Sequence, residues 1–233
     1  MRTADFHYDL PEERIAQHPV EPRDSSRLLD TRTMSDGVFR DLPGVLRRGD
    51  LLVANRTRVR RARLIGEKVE TGGKVEALLL TPLGDGRWEA LVRPSRRLRV
   101  GVRLRFGDLT GEIVAGPDEG RAVLAFEGDV EEAAERTGQM PLPPYIHETL
   151  DEAERYQTVY SDKVGSAAAP TAGLHFTPGL IAALSAAGIE MTFVDLEVGL
   201  DTFRPIASEI VEDHTMHTET IDVPASTVAA IDE

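Results

Sequence analysis

The chain has 233 residues, no cysteine, and 27 basic against 40 acidic side chains, for a net charge of −13. That length fits one large domain or two small ones. The missing cysteines exclude disulfides, thiolate metal sites, iron–sulfur clusters and thiol nucleophiles, and no apolar run is long enough to span a bilayer. The charge is unevenly spread: residues 1–136 hold 24 basic and 24 acidic side chains, and residues 137–233 hold 3 and 16, the whole excess. Within the balanced part, Arg56, Arg58, Arg60, Arg61 and Arg63 cluster, as do Arg93, Arg96, Arg97, Arg99, Arg103 and Arg105. Such local density can hold phosphates despite an acidic total, or can simply line the exposed faces of strands.

In chain order, Pro11 predicts a short helix through Gln17, and residues 19–27 have loop composition. Leu28 and Leu29 open a strand, with Asp36-Gly37 as a hairpin turn signal. Residues 39–46 read as a short helix, and Leu51, Leu52 and Val53 as a strand leading to Asn55. From residue 63 the pattern changes. Short β-rich runs at 64–69, 75–80, 88–92, 102–106, 112–114 and 122–126 alternate with glycine turns, which predicts a small antiparallel barrel. Residues 131–136 read as a charged helix, Pro141-Leu142-Pro143-Pro144 as a stiff return connection, and residues 151–160 as helical. The fold expected is therefore an α/β domain, residues 1–62 and 137–233, interrupted by a β-barrel insertion at residues 63–136. A last helix opens at Pro224, with Val228, Ala229 and Ile231 as its apolar face. Two turns are too short to stand alone, so the α/β domain is expected to be incomplete at its carboxyl end. Acidic residues near the amino terminus read against a signal peptide, so a cytoplasmic protein is expected.

Residues 165–178, Gly-Ser-Ala-Ala-Ala-Pro-Thr-Ala-Gly-Leu-His-Phe-Thr-Pro, have too many small residues for a core and too few charges for a solvated linker. Two glycines, four alanines and two prolines leave backbone that a ligand can approach closely. Thr177 and Pro178 read as the N-cap and first residue of a helix that stops at Gly188. A strand over 189–194 follows. This loop–helix–strand order places Thr171, His175 and Arg204 near element ends, where α/β folds bind ligands.

An ordered series of motifs resembles the S-adenosylmethionine:tRNA ribosyltransferase-isomerases of queuosine synthesis. It includes Arg23-Asp24-Ser25-Ser26-Arg27-Leu28-Leu29, Gly49-Asp50-Leu51-Leu52-Val53, Gly72-Gly73-Lys74-Val75-Glu76 and Tyr156-Gln157-Thr158-Val159-Tyr160. It continues with Ala168-Ala169-Pro170-Thr171-Ala172-Gly173-Leu174-His175-Phe176 and Met216-His217. The resemblance implies transfer of the ribosyl part of S-adenosylmethionine to 7-aminomethyl-7-deazaguanine in tRNA carrying a GUN-type anticodon. Epoxyqueuosine forms, and adenine and methionine are released. S-adenosylmethionine is then a co-substrate, with no further cofactor, metal or membrane implied, and a monomer is expected.

Such chemistry needs a base to remove a proton beside the sulfonium. His175 is the candidate base, or the acid for adenine, since imidazole titrates near neutrality; ordering its own loop is the competing reading. Thr171 and Gly173 offer a hydroxyl and a close backbone approach, or are plain turn residues. Asp24 and Ser25 are candidates for ribose hydroxyls, and Arg23, Asn55 and Arg58 for phosphate or carboxylate. Arg204 is a candidate for the methionine carboxylate, and His217 for substrate. Glu197 stands where the family reads a histidine, in Leu196-Glu197-Val198-Gly199, and would carry any proton transfer made there. The alternative from another class is a non-catalytic remnant that keeps tRNA binding through its Arg-rich strands.

Overall fold

The computed structural model describes residues 1–148, 150, 152–199, 202 and 206–233. The chain forms two compact units: Met1–Arg58 with Pro143–Glu233, and Val59–Leu142.

The first unit opens with β1 (Arg27–Asp30) and β2 (Ser35–Val38), an antiparallel hairpin. Asp36-Gly37, expected as its turn, lies inside β2 instead, paired with Leu29 and Leu28. The reversal falls on residues 31–34, where Met34 takes φ 55°. Asp30 accepts from the amide and guanidinium of Arg32 and so closes the turn that Gly37 was expected to supply. The helix expected from Pro11 is only a 3-10 turn, Glu12–Arg14. A 3-10 turn at Phe39–Asp41 runs into α1 (Leu42–Val45), and β3 (Leu51–Asn55) follows. The short β4 (Arg58–Val59) leads into the second unit.

That unit is the expected barrel. Its strands are β5 (Arg63–Lys68), β6 (Lys74–Gly84), β7 (Arg87–Arg93), β8 (Arg103–Phe106), β9 (Leu109–Asp118) and β10 (Arg121–Glu127). They close in the order β10-β7-β6-β5-β8-β9, all antiparallel. Strict alternation drives the closure: Trp88, Ala90 and Val92 of β7, and Ala122, Leu124 and Phe126 of β10, point inward while their neighbours face out. Small residues are needed where walls approach. A Cβ on Gly66 would lie 2.1 Å from the Arg105 carbonyl oxygen and 2.5 Å from the Phe106 ring. The helix α2 (Val130–Thr137) adds Val130, Ala133 and Ala134 to the barrel core. Asp129 caps it by accepting from the Glu132 amide at 3.0 Å.

Back in the first unit, residues 153–156 form only a 3-10 turn (Ala153–Tyr156) where a longer helix was expected, while Asp151 lies outside the described residues. Arg23 takes the carbonyls of Glu154 and Gln157, and the amides of Arg155 and Gln157 bond three residues back to Glu152 and Glu154, so these groups join no i to i−4 ladder. Then come β11 (Val164–Ser166), α3 (Pro178–Ala186), β12 (Glu190–Glu197), β13 (Thr220–Asp222) and α4 (Ala225–Asp232). β12 pairs in parallel with β3 and antiparallel with β13. Thr177 caps α3 and Gly188 ends it at φ 77°, as read from the sequence. Phe176, Leu180, Leu184 and Ile189 form the core here, flanked by Phe39, Leu42, Leu52 and Tyr160.

The last helix differs from expectation. Val228 and Ile231 are 47% and 56% exposed, and Thr227 is the buried residue. Its hydroxyl meets Thr192 Oγ1 at 2.8 Å and donates to the Phe193 carbonyl at 2.6 Å, so the helix seats on β12 by hydrogen bonds rather than by an apolar stripe. Among the described residues no helix is long and apolar enough to cross a membrane.

Candidate active site

The parallel pair β3–β12 directs attention to its carboxyl ends, where open α/β sheets bind ligands. A polar knot ties that edge together. Asn55, the last residue of β3, donates to the Leu196 carbonyl at 2.8 Å and accepts from the Leu196 amide at 3.1 Å and the Thr57 amide at 3.0 Å. The buried hydroxyls of Thr57 and Ser166 meet at 2.6 Å, and Ser166 accepts from the Val198 amide at 3.0 Å. The Asn55 carboxamide is therefore engaged chiefly in locking β3 to β12. Next to it Arg56 holds Asp195 in a two-pronged pair at 2.8 and 3.3 Å, and that hydrogen bonding keeps the Asp195 carboxyl below its ordinary range. Glu197 is exposed at the end of β12 and lies along Gly165, where a Cβ would come within 3.1 Å of its Cγ.

The small-residue loop forms a second cluster. Its 3-10 turn, Thr171–His175, faces another at Arg23–Ser25. Arg23 staples three segments. Its guanidinium donates to the carbonyls of Gln157 at 2.6 Å, Glu154 at 2.9 Å and Leu174 at 3.5 Å. Asp24 accepts from the Thr177 hydroxyl at 3.1 Å, and that same hydroxyl accepts from the Leu180 amide, so the carboxylate anchors the cap of α3. Arg40 bridges Asp24 at 3.7 Å and hydrogen-bonds Ser25. Gly173 is buried with no room for a side chain: a Cβ would sit 2.4 Å from Tyr160 Oη and 2.9 Å from Thr158 Cγ2.

His175 stands in the middle, half-buried, its ring tilted against Phe39 at 5.2 Å. Burial is the main cause that lowers its pKa, the Arg155 charge adds to it, and a hydrogen bond with the Arg23 backbone opposes both. Arg155 is itself fixed by an ion pair with Glu21 and by the Val20 carbonyl at 2.8 Å. The imidazole is thus held neutral at neutral pH, able to accept a proton.

Arg23, Asp24, Ser25, Gly173 and His175 come together, with Thr171 at the exposed start of the same turn. Arg58 bonds Ser161 at 3.2 Å and pairs with Glu154, whose carbonyl Arg23 holds. His217 sits on a separate loop, 3.4 Å from Glu219, which also accepts the Gly199 amide at 3.0 Å. Arg204 lies outside the described residues. Arg155 and Tyr160 were not singled out as site residues. Tyr160 stood in the motif Tyr156-Gln157-Thr158-Val159-Tyr160, but only the tertiary structure brings its hydroxyl against Gly173. Burial pushes that hydroxyl up to about 12. Among the described residues no group of three histidine, aspartate or glutamate side chains is placed to hold a metal ion.

The class defined by fold and site is an α/β unit carrying a closed barrel insertion, with a neutral histidine on a pinned loop in the α/β unit. The family model for queuosine biosynthesis proteins matches residues 3–233, and the chain belongs to that family. It is 53% identical to the S-adenosylmethionine:tRNA ribosyltransferase-isomerase of Symbiobacterium thermophilum and 54% identical to that of Heliobacterium modesticaldum, in each case over 99% of this chain and 70% of the relative. The Clostridioides difficile protein of the same name is 52% identical over 94% of this chain and 67% of its own length. A crystal structure of the S-adenosylmethionine tRNA ribosyltransferase of Thermotoga maritima matches at 30% identity, with a TM-score of 0.39, over 98% of this chain and 64% of that one. Identity this high along almost the whole chain does not favour the reading as a non-catalytic remnant.

Proposed function

We propose that the chain transfers and isomerises the ribosyl moiety of S-adenosylmethionine onto 7-aminomethyl-7-deazaguanine in the GUN-type anticodon of tRNA. Epoxyqueuosine is formed and adenine and methionine are released. Supporting this is the identity of 52–54% to relatives named for this reaction. The observation in the fold that carries it is His175, a half-buried imidazole kept neutral on a loop whose backbone is pinned by Arg23.

In this reading the neutral imidazole takes the proton from the carbon beside the sulfonium, after which adenine leaves and the aminomethyl nitrogen attacks. Arg155 has two effects: its charge keeps His175 unprotonated before the reaction, and its pairing with Glu21 limits repulsion of the sulfonium. Thr171 and Glu197 are the further groups proposed to act on substrate, with Asn55, Arg58, Arg204 and His217 as binding residues. Arg23, Asp24, Ser25 and Gly173 contribute to binding through the shape of the loop they hold. In this reading the chain acts on its tRNA in the cytoplasm, as a monomer.

Turnover tests the proposal directly. The chain is incubated with S-adenosylmethionine and an anticodon stem-loop bearing the aminomethyl-deazaguanine, and the products are read by mass spectrometry. Adenine and epoxyqueuosine in equal amounts are expected. A folded sample that releases no adenine, beside an active relative, would overturn the proposal.

A further inference from the structure

The arginines of the barrel unit fall into two groups. Arg60, Arg61, Arg63, Arg103, Arg105 and Arg121 each face a carboxylate: Glu131, Glu135, Glu76, Glu127, Glu67 and Glu89 respectively. These pairs neutralise most of the basic strand faces that stood out in the sequence. Arg93, the last residue of β7, and Arg96, Arg97 and Arg99, in the connection to β8, are all exposed, and none pairs with a carboxylate among the described residues.

This connection is held in shape. Leu98 is 7% exposed and belongs to the barrel core, so it plants the loop between Arg97 and Arg99. The Leu98 amide donates to Ser95, Val102 to Arg99, and Gly101 across to Ile113 on β9, all at 2.9–3.1 Å. Lys68 reaches in from β5 and donates to the Arg97 carbonyl at 2.7 Å, which brings a fifth positive charge to the loop. The acids nearest in strand register are already engaged, Glu76 with Arg63 and Glu67 with Arg105. Asp118 and Glu119 on the neighbouring turn pair with no guanidinium of this loop. Five of the six arginines on the barrel strands, Arg93 being the exception, find carboxylates. A held loop carrying three that do not, with Arg93 at its start, has a concentrated positive potential with no internal partner, suited to a polyanion.

We propose that the β7–β8 loop is the surface that takes the phosphate backbone of the RNA, with Arg96, Arg97 and Arg99 as the direct contacts and Arg93 and Lys68 flanking them. This rests on the RNA-modifying reading above and adds where on the barrel the RNA is held. Guanidiniums on phosphates position a nucleic acid without reading its bases, and each contact releases counterions, so salt dependence measures them.

The test is a salt titration of RNA affinity, using an anticodon stem-loop and the full chain. Wild type is compared with the combined Arg96→Gln, Arg97→Gln and Arg99→Gln variant, with the corresponding triple lysine variant, and with an Arg103→Gln, Arg105→Gln variant of the paired group. The glutamine variant is expected to lower the slope of log affinity against log salt by about 2–3, at roughly 0.7–0.9 per phosphate contact. The lysine and the paired-arginine variants should keep the wild-type slope. An unchanged slope in the glutamine variant, an equal drop in the paired-arginine variant, or no RNA binding by wild type would each overturn the proposal. Poly-glutamate binding as tight as RNA would instead point to an acidic protein segment, and would also overturn it. Adenine release measured in the same samples separates the two readings: turnover with an unchanged slope defeats only the surface, and a lowered slope without turnover defeats only the reaction.

Discussion

His175 illustrates how one residue links electrostatics to both stability and catalysis. Its folded pKa is lowered, so below its ordinary value of about 6.5 the unfolded chain binds the proton more readily than the folded one. Its contribution to stability is therefore complete above about pH 6.5 and is lost as pH falls through the lowered folded value. Melting temperature measured against pH should drop more steeply for wild type than for His175→Gln across that window. In turnover, His175→Gln should lose about 10²–10⁴-fold of adenine release, and the acidic limb of the wild-type rate profile should lie below about pH 6.5. Gly173 makes a second point. The run of small residues in this loop suggests room for a ligand, whereas the space beside Gly173 is taken by Tyr160 Oη and Thr158. Gly173→Ala should cost about 1–3 kcal/mol in denaturant unfolding, and Tyr160→Phe in the same chain should recover part of it by removing the hydroxyl at 2.4 Å.

At the scale of elements, pairing decides more than propensity. The β3–β12 junction depends on Asn55, whose carboxamide serves both the carbonyl and the amide of Leu196. Asn55→Leu leaves those backbone groups and the Thr57 amide without their partner, at about 1–3 kcal/mol for each group that finds no substitute. Urea unfolding followed by circular dichroism would measure the loss. The barrel strands were legible because alternation and glycine turns repeat at short intervals, and six predicted runs became six strands. The first hairpin was misread because Asp36-Gly37 has turn chemistry in isolation. Pairing of Gly37 with Leu28 and closure of the turn by Asp30 and Arg32 override it. The helix expected over 151–160 shortens to a 3-10 turn for a related reason: Arg23, distant in sequence, takes the carbonyls of Glu154 and Gln157.

For the molecule as a whole, the two units differ in how they acquire a core. The barrel core draws only on residues between Ala62 and Ala134, a continuous segment. Val59–Leu142 expressed alone should therefore give a β-type circular dichroism spectrum and a single cooperative melt. A spectrum without structure would show that this core depends on the rest of the chain. The other unit assembles Phe39, Leu42 and Leu52 with Phe176, Leu180 and Leu184, which only come together once both flanking segments are present. The net charge follows the same division, since the acidic excess lies wholly in residues 137–233 and residues 59–142 are balanced, with 14 basic and 14 acidic side chains.

The amino-acid sequence by itself determined the barrel, the capped helix at Thr177, the family and the loop that carries His175. Each of these is written in short-range pattern: alternation, cap chemistry, or an ordered series of motifs. Which arginines are free, which glycines are filled in and what holds His175 neutral were decided only by the tertiary structure. Those properties depend on partners far apart in the chain, such as Arg23 with Leu174 or Asn55 with Leu196, and neither charge nor burial can be assigned to a residue before its neighbours are known.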